Sequence, residues 1–214
     1  MRFLPLVAIV LVLAGCGGGG GSSSTSTDAA GCTSVSPPAG AQRSAPQPTS
    51  GLDSTKTYVV TIETNCGTFS FRLDPKQSPH ATAAFVELVK RGYFDHTTFH
   101  RIVPGFVIQG GDPTGSGNGG PGFTTVDKPP AGAQYTHGVV AMAKTAVQPA
   151  GAAGSQFFVV TGDNIGLQPD YAIIGKVVTG IDVVDRIGKL GDPNDQSGTP
   201  TEVVEIQKAT LKVT

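Results

Sequence analysis

Arg101 and Gln109 lie in the stretch Phe99-His100-Arg101-Ile102-Val103-Pro104-Gly105-Phe106-Val107-Ile108-Gln109-Gly110-Gly111. A guanidinium brings a permanent charge and a fork of donors, and a carboxamide brings both a donor and an acceptor. The residues around them are mostly apolar. One fixed cation, one carboxamide and an apolar wall suit a neutral polar group joined to an apolar one, and a peptide amide fits that description. The chemistry open to such a set is positioning and polarisation, with no nucleophile, general base or cofactor.

Other chemistries are poorly served. His96 and His100 have the four-residue spacing of a helical metal pair. However, Thr97, Thr98 and Phe99 favour a strand, in which residues four apart are ~13 Å distant. His80 and His137 complete no ligand set, and the three cysteines form no CxxC pair. No metal is expected, and no cofactor. Gly115-Ser116-Gly117-Asn118-Gly119-Gly120 spells GxGxxG, but Pro121 follows at once and no helix can start there to meet a phosphate. Ser155 lacks the GxSxG context and any His/Asp pair to activate it, so it reads as a strand-edge serine.

Elements must bring Arg101 and Gln109 together. Strand alternation puts Phe99, Arg101 and Val103 on one face and His100 and Ile102 on the other. Pro104-Gly105 makes a turn or bulge, which can re-aim the side chains that follow. Upstream, residues 57–63 and 68–73 alternate on either side of Asn65-Cys66-Gly67, the signature of a β-hairpin. Ser78-Pro79 reads as an N-cap with proline at the first helical position. Ala81, Ala84, Phe85 and Leu88 form an apolar stripe, and Gly92 stops the helix. Residues 138–143, 155–161, 171–178 and 202–213 read as strands, with a short helix capped by Thr179 and Asp182 running to about Gly188. Many strands and two short helices suit an antiparallel barrel with its ends closed by the helices.

The chain has 214 residues, with 15 basic and 16 acidic side chains and a net charge of −1. That balance gives no footprint for nucleic acid. Residues 1–15 have an early arginine and an apolar run at 3–13, too short to span a bilayer and the right length for an export signal. Leu13-Ala14-Gly15-Cys16 resembles the lipobox of bacterial lipoproteins, which implies a lipidated Cys16 and a partner in the lipid bilayer. Residues 16–55 are rich in Gly, Ser and Pro and nearly free of charge. They are expected to form a disordered tether with a reach of about 35 Å, carrying a folded domain at 56–214. The expected location is outside the cytoplasm, anchored to a bacterial membrane. Once Cys16 is acylated, Cys32 and Cys66 are the cysteines left. They either pair, as thiols outside the cytoplasm tend to, or stay as two free thiols.

Three separated motifs then carry a resemblance. Phe99-His100-Arg101 with Pro104-Gly105-Phe106, then Gln109-Gly110-Gly111-Asp112, then Gly154-Ser155-Gln156-Phe157-Phe158 resemble the cyclophilin family of peptidyl-prolyl isomerases, over roughly residues 57–211. The resemblance implies a mainly β fold, an eight-stranded antiparallel closed barrel capped by two short helices, acting on proline-containing polypeptides; a monomer is expected. It makes Arg101 the catalytic arginine, with Phe106 and Gln109 beside it. Phe106, Val107 and Phe158 line the proline pocket, Val107 replacing the family's usual methionine. Gln109 helps position the substrate carbonyl. Ala143 and Gln156 border the adjacent groove, and Leu167 closes the pocket. Three positions depart from the pattern: Tyr171 where many members have histidine, Gly166 where some have tryptophan, and Lys144 for a common asparagine. The loop at 144–154 is also longer. Without an indole donor, weak cyclosporin sensitivity is expected.

The implied reaction matches the residues. Rotation about an X–Pro bond meets a barrier of ~18–20 kcal/mol, and four decades of acceleration need about 5.4 kcal/mol. One charge-assisted donor in a partly dry pocket supplies ~3–4 kcal/mol. Binding that prefers the twisted amide supplies the rest. The alternative is a non-catalytic proline-peptide-binding or chaperone module on the same scaffold, suggested by Lys144, Gly166 and Tyr171.

Overall fold

The computed structural model describes residues 31–195 and 197–214. The expected signal peptide at 1–15, Cys16 and the first part of the tether lie outside them.

Alternating apolar residues form the opening hairpin. Its strands are β1 (Tyr58–Thr64) and β2 (Gly67–Leu73). Val60, Ile62, Phe69 and Phe71 point inward and are fully buried. Helix α1 (Pro79–Lys90) follows and plugs the interior with its apolar stripe. The Phe85 ring stacks 4.7 Å from Phe94 and meets Phe157 edge-on at 5.3 Å. Strands β3 (Thr97–Thr98), β4 (Arg101–Val103), β5 (Val107–Gly110), β6 (Thr125–Val126), β7 (Val139–Met142), β8 (Ala152–Ala153), β9 (Phe157–Val160) and β10 (Ile173–Thr179) come next. Helix α2 (Ile181–Gly188) and strand β11 (Glu205–Val213) complete the chain.

Nine strands form one antiparallel sheet in the order β3-β11-β1-β2-β10-β7-β9-β5-β4, and β6 pairs with β8 separately. This corrects the expected closed eight-stranded barrel: the sheet is an open half-barrel whose edges are β3 and β4. The two edges are consecutive in the chain yet do not pair. Phe99 turns inward between them, 1% exposed, and its N–H donates to Val204 O at 2.9 Å. The edge of β4 is covered as well, because the Ile102 N–H donates to Gly198 O at 2.7 Å. Such cover removes the open donors an edge would otherwise present. The same break puts Phe99 and Arg101 on opposite faces, against the simple alternation expected of residues 99–103.

Both helix starts differ from expectation. The Ser78 hydroxyl makes no cap bond and is buried without a partner. Asp127, from a distant loop, caps α1 instead, with Oδ2 accepting from the Ala81 N–H at 2.6 Å and Oδ1 2.7 Å from His80 Nδ1. Helix α2 begins after Gly180, which has a φ of 73° and no side-chain cap, while Thr179 belongs to β10.

Residues 31–55 are not a free coil. They run along the domain as a strap whose start is fixed by a Cys32–Cys66 disulfide and by the Thr33 N–H donating to Asn65 O at 2.8 Å. Leu52 packs against the main core, and the Asp53 N–H donates to the Tyr58 hydroxyl at 3.1 Å. The disordered reading failed here because it counted apolar area alone. The strap instead satisfies backbone groups of the domain and is cross-linked to it.

Candidate active site

The sheet buries apolar residues on both faces. Its inner face belongs to the main core, with Ile102, Ile108, Val140 and Val159. Its outer face carries a second cluster of Val107, Tyr135, Val139, Ala141, Phe158, Val160 and Ile173. Packed against this cluster, partly exposed, are Phe106, Ala143, Ile165, Leu167 and Tyr171. An apolar patch on the outside of a sheet is where a ligand can reach.

Register places the polar groups beside it. Strands β4 and β5 form a tight hairpin in which Arg101 pairs with Gln109 and Val103 with Val107. The turn is closed by the Phe106 N–H donating to Val103 O at 3.0 Å, with Gly105 at a φ of 68° that L side chains rarely adopt. Gln109 then faces Phe158 across to β9, and Phe158 faces Ala141 on β7. Directly opposed residues share a face, so Arg101, Gln109, Phe158 and Ala141 form one row on the outer surface. Hairpin register, with no re-aiming bulge, is what aligns Arg101 with Gln109.

Arg101 is held from the side. Its Nε donates to Ser197 O at 3.2 Å, and its guanidinium carbon lies 5.9 Å from the centre of the Phe106 ring. The loop that supplies Ser197 is tied by Asp195, whose carboxylate accepts from the Ser197 N–H and hydroxyl and from the Thr199 N–H. The Ser197 hydroxyl bond first, with the backbone bonds behind it, lowers the Asp195 pKa to about 2. Gln109 Nε2 donates to Gln156 Oε1 at 3.0 Å, and Gln156 Nε2 donates to Gly117 O at 2.9 Å and Gly119 O at 3.0 Å.

At the other end of the patch, Tyr171 meets Phe158 edge-on at 5.5 Å. The Tyr135 hydroxyl donates to Tyr171 O at 2.7 Å and accepts from the Tyr171 N–H at 2.9 Å. Burial raises the Tyr135 pKa, which keeps it neutral in this double role. Lys144 Nζ sits 5.5 Å from the centre of the Tyr171 ring and donates to the carbonyls of Thr145 and Gln148. A cavity of ≈ 660 Å³ opens next to the patch, lined by Gln109, Gly119, Phe123, Lys144, Gln148 and Gln156 among others.

All ten residues singled out for catalysis or substrate binding therefore converge. Arg101, Phe106, Val107, Phe158, Leu167 and Tyr171 surround the patch, while Gln109, Gln156, Ala143 and Lys144 lead into the cavity. Sequence reasoning missed Tyr135 and the carbonyl of Ser197. A lone aromatic in the polar run Ala133-Gln134-Tyr135-Thr136 was a signal for the first; a backbone carbonyl leaves no signal at all. Among the described residues no three His, Cys, Asp or Glu side chains gather as for a metal ion. His96 pairs with Glu205, and Ser155 Oγ donates to Gly111 O at 2.7 Å as a structural link.

The half-barrel thus presents an arginine, two carboxamides and an apolar patch together on its outer face. A sequence model of the family described as "Cyclophilin type peptidyl-prolyl cis-trans isomerase/CLD" matches residues 59–211. The chain is 38% identical over 154 residues to peptidyl-prolyl cis-trans isomerase-like 1 of Neurospora crassa, covering 70% of this chain and 91% of that protein. It is 37% identical to peptidyl-prolyl cis-trans isomerase cypE of Dictyostelium discoideum, covering 71% and 96%. Among solved structures, a cyclophilin type isomerase of Cryptosporidium parvum in the presence of the dipeptide Ala-Pro has a TM-score of 0.64 and 33% identity. That match covers 72% of this chain and 98% of the other. The chain belongs to the cyclophilin-type peptidyl-prolyl cis-trans isomerase family, and its activity is the interconversion of cis and trans X–Pro bonds.

Proposed function

We propose that Arg101 is the transition-state donor of this isomerase. The observation that carries it is the outer-face row of Arg101, Gln109 and Phe158 beside Phe106 and Val107. A proline ring seated among Phe106, Val107, Phe158 and Leu167 puts its amide next to the guanidinium. Rotation frees the nitrogen lone pair, and a cationic donor favours that twisted state over either planar one. Gln109 is positioned to hold the carbonyl, since its carboxamide is itself fixed by Gln156. The Ala-Pro dipeptide present with the Cryptosporidium parvum relative supports a proline-containing ligand. In a protease-coupled assay on an X–Pro peptide, Arg101→Ala is expected to lower kcat/KM by about 10²-fold, the usual effect of removing one such donor. Unchanged turnover would end this assignment.

The same protein is proposed to work outside the cytoplasm as a monomer, tethered to a bacterial membrane through acylated Cys16. The apolar run at 3–13 and Leu13-Ala14-Gly15-Cys16 support this, and a Cys32–Cys66 disulfide suits an oxidising compartment. Expressed in a bacterial host, the wild type is expected to partition into detergent and incorporate labelled palmitate. Cys16→Ser is expected to do neither, and equal partitioning of the two would refute the anchor.

A further inference from the structure

We propose that the strap, residues 33–55, is a positioning element of the active site, bracing the glycine-rich loop 113–122 from outside. The proposal rests on the reading of that loop as a wall of the substrate site. The strap also lies N-terminal to the residues matched by the family.

The loop needs a brace. Five of its ten residues are glycine, and glycine loses more conformational freedom on ordering than any other residue. From inside, Asp112 ties it: Oδ1 accepts from the Thr114 N–H at 2.7 Å and Oδ2 from the Gly119 N–H at 3.1 Å. From outside, the strap bonds to both of its prolines. The Ala41 N–H donates to Pro113 O and the Ala45 N–H to Pro121 O, each at 3.0 Å. Gly40 lies against the Thr114 backbone so closely that no side chain would fit between them.

The strap is itself anchored between these two bonds. Arg43, the one charged residue between positions 31 and 52, donates through Nη1 to Tyr93 O at 2.6 Å and Asp95 O at 2.8 Å. Below it the Tyr93 hydroxyl lies 3.4 Å from both Arg43 O and Ser155 Oγ. Ser155 adjoins Gln156, whose amide is held by the loop carbonyls of Gly117 and Gly119 and in turn holds Gln109. A continuous set of bonds therefore runs from the strap through the loop to the carboxamide beside Arg101.

The test uses the full-length chain and a protease-free isomerisation assay, with amide hydrogen exchange read over 33–55 and 113–122. Arg43→Ala is expected to speed exchange in both segments and to raise KM three- to tenfold while kcat stays within twofold. Arg43→Lys, which keeps a donor for one carbonyl, restores part of the KM. Cys32→Ser, which frees the strap at its start, moves the same readouts in the same direction. Faster exchange in 33–55 with KM and the loop unchanged would overturn the proposal, as would a strap that stays protected in both variants. Failure of the underlying site assignment shows separately, as an Arg101→Ala variant that remains active.

Discussion

At the scale of single residues, Arg101 is constrained on its Nε by Ser197 and flanked by Phe106. On the proposed mechanism its terminal nitrogens are the donors to the prolyl amide. Arg101→Lys keeps the charge but loses the planar fork, so kcat/KM in the coupled assay is expected to stay below about a tenth of wild type. His100, next in sequence, is a stability determinant. Burial lowers its pKa from the ordinary 6.5, Arg101 adds to that effect, and the Asp112 carboxylate opposes it. The unfolded chain therefore takes up a proton at higher pH than the folded one. Stability is full above about 6.5 and falls as the pH drops through the lowered value. Thermal melts from pH 7.5 to 5 are expected to show that fall, and His100→Gln to flatten it; identical slopes would dismiss His100 as the cause. Arg101 and Gln109 were legible because charge and amide stand out in an apolar stretch. That Phe158 and Tyr171 share a patch with Arg101 was expected through the resemblance alone, since each reads by pattern as an ordinary strand residue.

At the scale of elements, strand and helix locations followed from alternation and from the stripe of α1, but partners did not. Alternation says which residues share a face, and says nothing about whether the last strand meets the first. The open seam was hidden for that reason: it depends on Phe99 turning inward and on Gly198 O reaching Ile102. Caps show the same limit. Ser78-Pro79 has the right local chemistry, yet the α1 donor at Ala81 is satisfied by Asp127, 46 residues away. Asp127→Ala is expected to lower stability by about 1–2 kcal/mol in denaturant unfolding, the usual cost of a lost cap. Ser78→Ala is expected to cost nothing measurable, because its hydroxyl has no partner to lose. The reverse ranking would restore Ser78 as the cap. In the core, Phe157→Ala removes a fully buried ring that touches Phe71, Phe85, Phe94 and Phe99. Its expected cost is about 3–5 kcal/mol, read from the denaturant midpoint.

At the scale of the whole molecule, the strap changes what residues 31–55 contribute. Its low-complexity composition was legible, whereas its course was not, because a backbone bond to Pro113 O or Pro121 O needs no particular side chain. The Cys32–Cys66 link closes a loop with a sequence separation of 34. On the chain-entropy account such a link stabilises the fold by about 3.8 kcal/mol. Unfolding with and without reductant is expected to differ by roughly that amount, and coincident curves would mean the strap adds no stability. The outward placement of the patch carries a different implication. Because Phe158, Phe106 and Tyr171 sit on the convex side of the sheet and the cavity beside them opens at the surface, a client has no tunnel to thread. A proline in the middle of a long polypeptide can be engaged with both flanking segments trailing into solvent. A proline in a loop of a nearly finished fold is then as reachable as one in an extended chain, and no free end is needed.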